Sequence, residues 1–562
     1  MFKNHPKGLL GAALSNMGER FGYYIMNAVL VLFLCSKFGL DEGKSALIYS
    51  FFYAGIYILS LVGGITADKL KNYKGTIMSG LIIMASGYAV LSIPILSTAD
   101  NIGWLLPLTC VALFLIAFGN GLFKGNLQAI VGQMYNNLEK EAEQKGAEAL
   151  EKAKAKRNPG FQIFYVFINI GGFIAPFVAP LLRGWWLEKH FLKYNAGLPE
   201  LCHKFLKFGE PMVGAGATPE EIGAGITHFN NLTTLAPEVT QVGASVNPAN
   251  LTEFCSNYLD IFNTGVHYSF IASVVAMLIS LFIFIASKKI LPNPEKQKKK
   301  ENRNYTAEEK REMAREIRQR IYALFAVLGI VVFFWFSFHQ NGASLSVFAK
   351  DFVITSTVPA EVWQAINPFF VITLTPIIML IFGRLRAKQK IIEIKIKKTG
   401  EIKKIITNCE PSTPKKIAIG MGIAAIAFLF LAIISHINDY PSAAGFKEMA
   451  ENVREGMKSS PWVLIVLYFF LTVAELFISP LGISFVSKVA PENIQGLCQG
   501  LWLGATAVGN GFLWVGTYLY NTIPIEQCWF VFVILCITSM VVMLSMVKWI
   551  EKITSEKAEV AK

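Results

Sequence analysis

Long runs of apolar residues constrain this chain more than any other feature of its sequence. Two of them, Ile321–Phe338 and Cys528–Val547, approach the roughly 20 residues that an α-helix needs to cross a bilayer. The chain is 53% hydrophobic and only 16% charged, whereas about 25% of the residues are charged in a soluble globular domain. The sequence therefore predicts an all-α protein that crosses a membrane many times.

The apolar runs predict twelve transmembrane helices. They cover residues 9–34, 46–66, 75–96, 103–134, 161–182 and 263–286 in the first half, and 321–345, 361–383, 415–436, 461–487, 497–519 and 527–547 in the second. The first run contains Glu19 and Arg20 and is as long as a span. We therefore expect it to remain as a helix and not to be removed as a signal peptide.

The distribution of basic residues predicts the orientation of the helices. The chain has 52 Lys and Arg against 39 Asp and Glu, a formal net charge of +13. Most of the Lys and Arg fall in segments on the side of the N-terminus, which matches the positive-inside rule with both termini in the cytoplasm. The basic surplus then reflects topology and contact with anionic lipid, not nucleic-acid binding. We expect a multi-pass protein of the plasma (inner) membrane.

The predicted helices divide into six and six. We expect an N-terminal six-helix bundle over residues 1–286, with a long extracellular loop at 184–263, and a C-terminal six-helix bundle over residues 321–562. Residues 287–320 form a basic cytoplasmic linker, with a helix predicted over Thr306–Arg320. Alternating apolar and polar residues around Lys398–Gly400 predict a cytoplasmic β-hairpin at 391–406.

Ionisable residues inside predicted spans are costly and commonly functional, and four of them stand out here. Glu19 and Arg20 are neighbours in the first span and point about 100° apart on a helix, so we expect each to reach another helix. Lys124 lies in the fourth span and Glu475 in the tenth. A cavity between Lys124 and Glu475 would suit a zwitterionic substrate. The alternative is a structural ion pair that locks the helices together.

Two of the eight cysteines, Cys202 and Cys255, lie in the predicted extracellular loop. A disulfide between them is one interpretation, because an external loop faces an oxidising compartment. Two unpaired thiols are the other interpretation.

A series of short motifs extends through nearly all predicted spans. They are Glu19-Arg20-Phe21-x-Tyr23-Tyr24, Gly63-Gly64 with Asp68, Phe164-Tyr165-x-x-Ile168-Asn169-x-Gly171, Trp363-Gln364-x-x-Asn367-Pro368, Glu475-x-x-x-Ser479-Pro480-x-Gly482 and Gly500-Leu501-Trp502. In this order they resemble the signatures of the proton-dependent oligopeptide transporters, a family of the major facilitator superfamily. Asp68 resembles the acid of the superfamily's loop motif between spans two and three, which implies a role in gating.

The resemblance implies a two-bundle fold and import of di- and tripeptides at the expense of a proton gradient. It implies that Lys124 faces the peptide carboxylate and that Glu475 faces the peptide amine. The remaining pocket residues implied by the family are Tyr23, Tyr57, Asn169, Asn367 and Trp502. The expected partners are small peptides, protons and the lipid bilayer. We expect a monomer without a metal or cofactor.

Three positions depart from the family pattern. Asn16 replaces the first Glu of the signature and cannot titrate. Asn27 stands where an Arg is usual, which leaves Lys124 without a cationic helper and favours a second interpretation, transport of another small zwitterion or organic anion. His339 stands where members often carry a carboxylate and can titrate near neutral pH. It either joins Glu19 and Arg20 in proton coupling or is a buried histidine bonded to a neighbouring helix.

Two other classes of function compete with transport. A membrane-embedded enzyme would need a nucleophile with a base or a metal cluster, and the chain has no H-E-x-x-H or G-x-S-x-G motif. A non-transporting receptor would use the extracellular loop at 184–263. Uptake into proteoliposomes distinguishes transport from both.

Overall fold

The structure of the chain, a computed structural model, is almost entirely helical. It describes residues 5–40, 42–98, 100–195, 197–214, 216–240, 250–292, 307–354, 365–395, 402–449, 451–491 and 494–555. Thr306, Trp363 and Gln364, which the sequence analysis singled out, lie outside these ranges.

The helices of the first half connect through short segments. They are α1 (Gly8–Phe38), α2 (Glu42–Leu70), α3 (Tyr73–Ser92), α4 (Ile102–Glu143), α5 (Ala147–Lys154), α6 (Arg157–Lys189), α7 (Leu198–Phe208), α8 (Pro219–Val239) and α9 (Leu251–Ser287). The segment predicted as an extracellular loop, 184–263, is therefore largely helical where it is described. It contains the end of α6, the short helices α7 and α8, and the start of α9.

The second half contains helices and one strand pair. The elements are α10 (Ala307–Phe338), α11 (Ser344–Phe352), α12 (Ile366–Ala387), β1 (Gln389–Lys395), β2 (Ile402–Asn408), α13 (Thr413–Ile437), α14 (Ala443–Glu448), α15 (Glu451–Met457), α16 (Trp462–Val489), α17 (Gln495–Gly511), α18 (Leu513–Thr522) and α19 (Ile525–Ser555). Strands β1 and β2 pair antiparallel with Ile391 opposite Ile406. They overlap the segment predicted as a hairpin, and residues 396–401 between them lie outside the described part.

Within the described residues, eleven helices are long and apolar enough to cross a membrane. They coincide with eleven of the predicted spans. The remaining span, 497–519, is divided at Phe512 into α17 and α18, next to Gly509 and Gly511, whose lack of a side chain weakens a helix. The seventh span was predicted to reach residue 345, but α10 ends at Phe338 and a 3₁₀ turn, His339–Gly342, follows it.

The helices pack in two groups that meet along a long interface. In the first half, α1 packs on α6 and α9, and α4 packs on α2 and α3; in the second, α13 packs on α16 and α19. Between the halves, α2 packs along α17, and α6 packs on α12 and α16. The α2–α17 crossing depends on glycine, since a Cβ at Gly64 would collide with the carbonyl of Gly496.

The molecule has two opposite end faces. The terminal face is the end at which α1 begins and α2 ends, near Gly8 and Asp68. The loop face is the opposite end, where α1 ends and where α7 lies against it through a bond from His203 Nε2 to the Ser36 carbonyl, 2.6 Å long.

Cys202 on α7 and Cys255 on α9 are completely buried side by side at the loop face. Both are free thiols in the structure. The hydrogen bond between the two thiols, together with burial, raises the pKa of Cys202. The proximity that a disulfide needs is therefore present.

We predict that Cys202 and Cys255 form a disulfide in protein purified without reductant. Such a bond closes a loop of intermediate length and should stabilise the fold by about 4 kcal/mol. Mass mapping of non-reduced digests should find the two cysteines in one cross-linked peptide, and reductant should lower the unfolding temperature. Alkylation of both thiols in the non-reduced protein would contradict the prediction.

Candidate functional site

The charged residues of α1 form a direct ion pair, which corrects the prediction that each reaches another helix. Arg20 donates from Nε to Glu19 Oε2 and from Nη2 to Oε1, both over 2.5 Å. The side chains are 4% and 0% exposed. The prediction considered only the directions of the Cα–Cβ bonds. The long Arg side chain folds back, and two charges in an apolar interior strongly favour pairing.

Glu19 nevertheless also contacts a neighbouring helix. The amide Nδ2 of Asn120 on α4 donates to Glu19 Oε1 over 2.6 Å. The Arg20 guanidinium lies 4.8 Å from the centre of the Tyr23 ring, one turn further along α1. The ion pair is therefore fixed against α4 on one side and against an aromatic ring on the other.

Lys124 on α4 has no carboxylate partner in the described segments. Its ammonium lies 4.8 Å from the centre of the Tyr57 ring on α2. No carboxylate of the described residues lies within 4.0 Å of its Nζ, and the side chain is half-buried. A cation–π contact recovers only part of the hydration that an ammonium loses on burial.

A ladder of three tyrosines on α2 extends from Tyr57 toward the loop face. Tyr49 and Tyr53 stack with ring centres 5.8 Å apart, and Tyr53 meets Tyr57 edge-on at 5.3 Å. The hydroxyl of Tyr49 donates to Asn27 Oδ1 on α1 over 3.1 Å, and Tyr23 donates to the same oxygen over 3.3 Å. Sequence analysis found Tyr57 but missed Tyr49 and Tyr53. Their spacing of four residues, which places all three on one helix face, was the available signal.

Glu475 on α16 is buried, at 6% exposure, and is held by neutral donors. Asn367 Nδ2 on α12 donates to Oε2 over 2.8 Å. The hydroxyl of Tyr165 on α6 donates to Oε1, so a residue of the first half contacts this carboxylate of the second half. Among the residues described, no Lys, Arg or His lies within 4.0 Å of its oxygens.

The structure places two further pocket candidates in packing roles. The amide of Asn169 donates to the carbonyl of Tyr165 on its own helix over 3.0 Å. Trp502 on α17 is 2% exposed, and its indole lies against Gly482, where any side chain would collide with it. The ring of Trp502 thus packs against the helix that carries Glu475, close to Pro480.

The candidate residues of both halves converge at the interface between the halves. Lys124 lies within electrostatic range of the Glu19–Arg20 pair and of His339 on the second half. Tyr57, which contacts Lys124, also lies within electrostatic range of Glu475. Lys124 and Glu475 do not form an ion pair. Lys124 and Glu475 therefore carry opposite charges on opposite halves of the interface, and neither has an ion-pair partner among the described residues.

His339 lies in the 3₁₀ turn after α10. Its Nδ1 donates to Asn510 Oδ1 on α17 over 2.5 Å, and its ring stacks on Trp335 at 4.9 Å. The hydrogen bond to a neighbouring helix was one of the two interpretations from the sequence. The electrostatic interaction with Lys124 places the ring close to the candidate site as well.

At the terminal face, Asp68 joins the two halves. It accepts hydrogen bonds from the backbone N–H of Leu497 over 2.8 Å and of Gly496 over 3.2 Å, and from the hydroxyl of Tyr73. The two amides belong to the start of α17, where the helix dipole favours an anion. Asp68 therefore connects the end of α2 to the first turn of α17.

Arg157, the first residue of α6, forms a second connection at this face. It donates to Ser487 on α16 over 3.0 Å, and to Glu139 and Asn136 on α4 over 2.9 and 2.6 Å. Sequence analysis did not find this residue, because its position in a basic segment gave no signal. Together with Asp68, it holds the halves together at the terminal face.

Comparison with known protein families shows to which family the chain belongs. Residues 74–202 and 295–527, more than half of the sequence, match the POT family. This chain belongs to the POT family. The resemblance inferred from its motifs is thereby confirmed.

Relatives and solved structures agree with the assignment to the POT family. The chain is 26% identical to a peptide transporter of Yersinia enterocolitica, over 91% of this chain and 87% of the relative. It is 24% identical to a di-/tripeptide transporter of Lactococcus lactis, over 89% and 87%. A crystal structure of a POT peptide transporter with sulfate has a TM-score of 0.54 and 22% identity, and the match covers 98% of this chain and 96% of that one. The last comparison establishes the shared fold.

Proposed function

We propose that this POT family member is a secondary transporter of the plasma (inner) membrane that imports di- and tripeptides together with protons. The main support for this proposal is the pair of charges at the interface between the halves. Lys124 and Glu475 present opposite charges from the two halves, and neither has a charged partner within the part of the chain that the structure describes. A charge in an apolar site is stabilised by an opposite charge brought to it. A zwitterion with its termini a few bonds apart supplies both, and relatives in the family are named peptide transporters and dipeptide and tripeptide permeases.

The wall of the first half would bind the peptide carboxylate. Lys124 supplies the charge, and the hydroxyls of Tyr57 and Tyr53, 3.3 Å apart, supply further hydrogen bonds. Asn27 accepts from Tyr23 and Tyr49 and so fixes the orientation of those two hydroxyls. These residues position the lysine and its ring partner before the substrate arrives.

The wall of the second half would bind the peptide amine. Glu475 already accepts from Asn367 and Tyr165, and a carboxylate has about four acceptor sites. An ammonium group can therefore bind without displacing either donor. Asn169 and Trp502 support this wall by fixing α6 and α16.

Transport would proceed by alternating access of two six-helix bundles, with twelve spans when α17 and α18 are counted as one, and with both termini in the cytoplasm. The bundles correspond to residues 1–286 and 321–562, joined by the linker 287–320. The hydrogen bonds of Asp68 and Arg157 join the two halves at the terminal face. Release of substrate to the cytoplasm would require both sets of hydrogen bonds to break, so Asp68 acts as a gating residue.

Proton coupling would involve the Glu19–Arg20 pair and His339. Protonation of Glu19 removes the charge that holds Arg20 and frees a guanidinium near Lys124. His339 lies close enough to Lys124 for the two charges to repel each other. Protonation at either position therefore changes the electrostatic field at the proposed carboxylate site.

A second candidate function is transport of another small zwitterion or organic anion. It is favoured by Asn27, because this amide is occupied by two tyrosines and adds no positive charge beside Lys124. Competition of labelled di-alanine uptake by amino acids, organic anions and dipeptides separates the two functions. Dipeptides should compete at the lowest concentrations.

We predict that Lys124→Ala severely reduces peptide uptake into proteoliposomes. In the proposed complex, Lys124 pairs with the carboxylate of the bound peptide. Removing one member of such a desolvated charge pair costs about 2–5 kcal/mol of binding free energy, so uptake at low peptide concentration should fall about thirtyfold or more. Lys140→Ala is a matched control, because it removes an exposed lysine from the same helix. Uptake by Lys124→Ala close to that of the control, at equal protein content, would exclude Lys124 as the carboxylate site.

We predict that His339→Gln uncouples transport from the proton gradient. The glutamine keeps a polar side chain for Asn510 but cannot titrate, so gradient-driven accumulation should fall while counterflow survives. The pH dependence of uptake should also flatten, because the variant lacks the titrating ring. His436→Gln, at an exposed histidine paired with Glu526, is the control.

Two outcomes would contradict the coupling role of His339. Accumulation equal to that of the parent would leave His339 as a packing residue. Loss of counterflow as well would place it in the substrate site or in the fold, and not in the proton path.

A further inference from the structure

A cavity, here called the outer cavity, lies at the loop face. Its volume is about 640 Å³, and its walls come from the end of α1, from residues 94–98, from α7 and from α9. Clefts that bind small molecules have volumes of about 300–1,000 Å³. The outer cavity shares no lining residue with the proposed peptide site.

Lys37 is the buried charge of the outer cavity. Its side chain is 4% exposed, and its Nζ donates to His267 Nε2 over 2.9 Å. The other nitrogen of His267, Nδ1, donates to the carbonyl of Leu91 over 2.6 Å. Because a carbonyl only accepts, the proton of the neutral ring lies on Nδ1, and Nε2 is free to accept from the lysine.

Two of the three N–H groups of Lys37 have no acceptor among the described residues. The remaining contacts of its ammonium are with the rings of Phe33 and Phe38, at 5.1 and 5.8 Å. Lys37 is therefore an incompletely partnered cation that lines a cavity. Such a group is expensive unless an acceptor occupies the space in front of it.

His203, which also lines the cavity, does not accept a hydrogen bond from Lys37. His203 donates from Nε2 to the carbonyl of Ser36, and burial lowers its pKa, so it stays neutral. Hydroxyl and amide groups in the lining have no side-chain partner in the described part of the chain and can donate to a ligand. They belong to Ser97, Thr98, Ser256, Asn257 and Thr264.

The charge of the lining favours an anion. Lys37 and Lys207 face one acid, Asp260, which forms no ion pair with either lysine within 4.0 Å. The wall at residues 94–98 is continuous with exposed apolar side chains at Ile93, Leu96 and Trp104. Exposed Trp beside aliphatic residues at a helix end is typical of the membrane–water boundary, where the phosphates of lipid headgroups lie.

We propose that the outer cavity binds a phosphate group, with Lys37 as its main contact. The phosphate comes either from the headgroup of a phospholipid or from free inorganic phosphate. Both present oxygens that can accept hydrogen bonds from the free N–H groups of Lys37. Hydrogen bonds between two charged groups are about twice as strong as hydrogen bonds between neutral groups. This site is independent of the proposed peptide transport.

The test uses two substitutions with matched controls. Lys37→Met removes the charge and keeps the length of the side chain against Phe33 and Phe38; Lys204→Met is its control, since Lys204 pairs with Glu200 outside the cavity. Ser256→Glu adds a carboxylate at an exposed lining position. Its control is Thr252→Glu, one turn earlier on α9 and outside the lining. Ser256→Glu decides the question if Lys37→Met does not fold.

Two measurements distinguish the sources of phosphate. Calorimetric titration of the detergent-purified protein with sodium phosphate, against sodium chloride at equal ionic strength, reports free phosphate. Native mass spectrometry with added phosphatidylglycerol reports bound lipid. In at least one of them, Lys37→Met and Ser256→Glu should weaken binding about tenfold or more relative to their controls. Equal binding by each variant and its control in both measurements would overturn the proposal.

Discussion

The low dielectric of the helix bundle is the constraint on which the rest of this structure depends, because every charge inside it must be stabilised locally. Glu19 and Arg20 meet the constraint by pairing with each other. Glu475 is held by two neutral donors and Lys124 by an aromatic ring. The Glu19–Arg20 pair neutralises both of its charges, whereas the charges of Glu475 and Lys124 are only partly stabilised. Lys124 and Glu475 lie on opposite halves of the molecule, and because they do not pair with each other, both can bind a ligand.

The same constraint determined what could be predicted from the sequence. Apolar runs report burial in lipid, so eleven helices long enough to span coincide with predicted spans. Lys124 and Glu475 stood out because a charge in such a run has few structural explanations. The direct Glu19–Arg20 pair was missed because rotamers of long side chains do not follow from the spacing of residues. The break at Phe512 and the early end of α10 were missed because hydropathy continues across both positions.

Other parts of the site carry no signal in hydropathy or charge. Tyr49 and Tyr53 were missed although their spacing from Tyr57 was visible, because a tyrosine on a helix is usually a packing residue. Arg157 lies in a basic segment, where one arginine does not differ from its neighbours until the fold places Ser487 and Glu139 beside it. Contacts between halves depend on the packing of α2 on α17 and of α6 on α16, which is a tertiary property.

In the proposed binding mode, Lys124 and Glu475 bind the two ends of one zwitterion. Binding of di-alanine, N-acetyl-di-alanine and di-alanine amide to the purified parent and to Glu475→Gln tests it directly, without requiring transport. In the parent, blocking either terminus should weaken binding about thirtyfold. In Glu475→Gln, acetylation should no longer matter, while amidation should still weaken binding. If the parent binds all three ligands equally, or if Glu475→Gln still discriminates against the acetylated peptide, Glu475 does not bind the amine and the proposed binding mode is wrong.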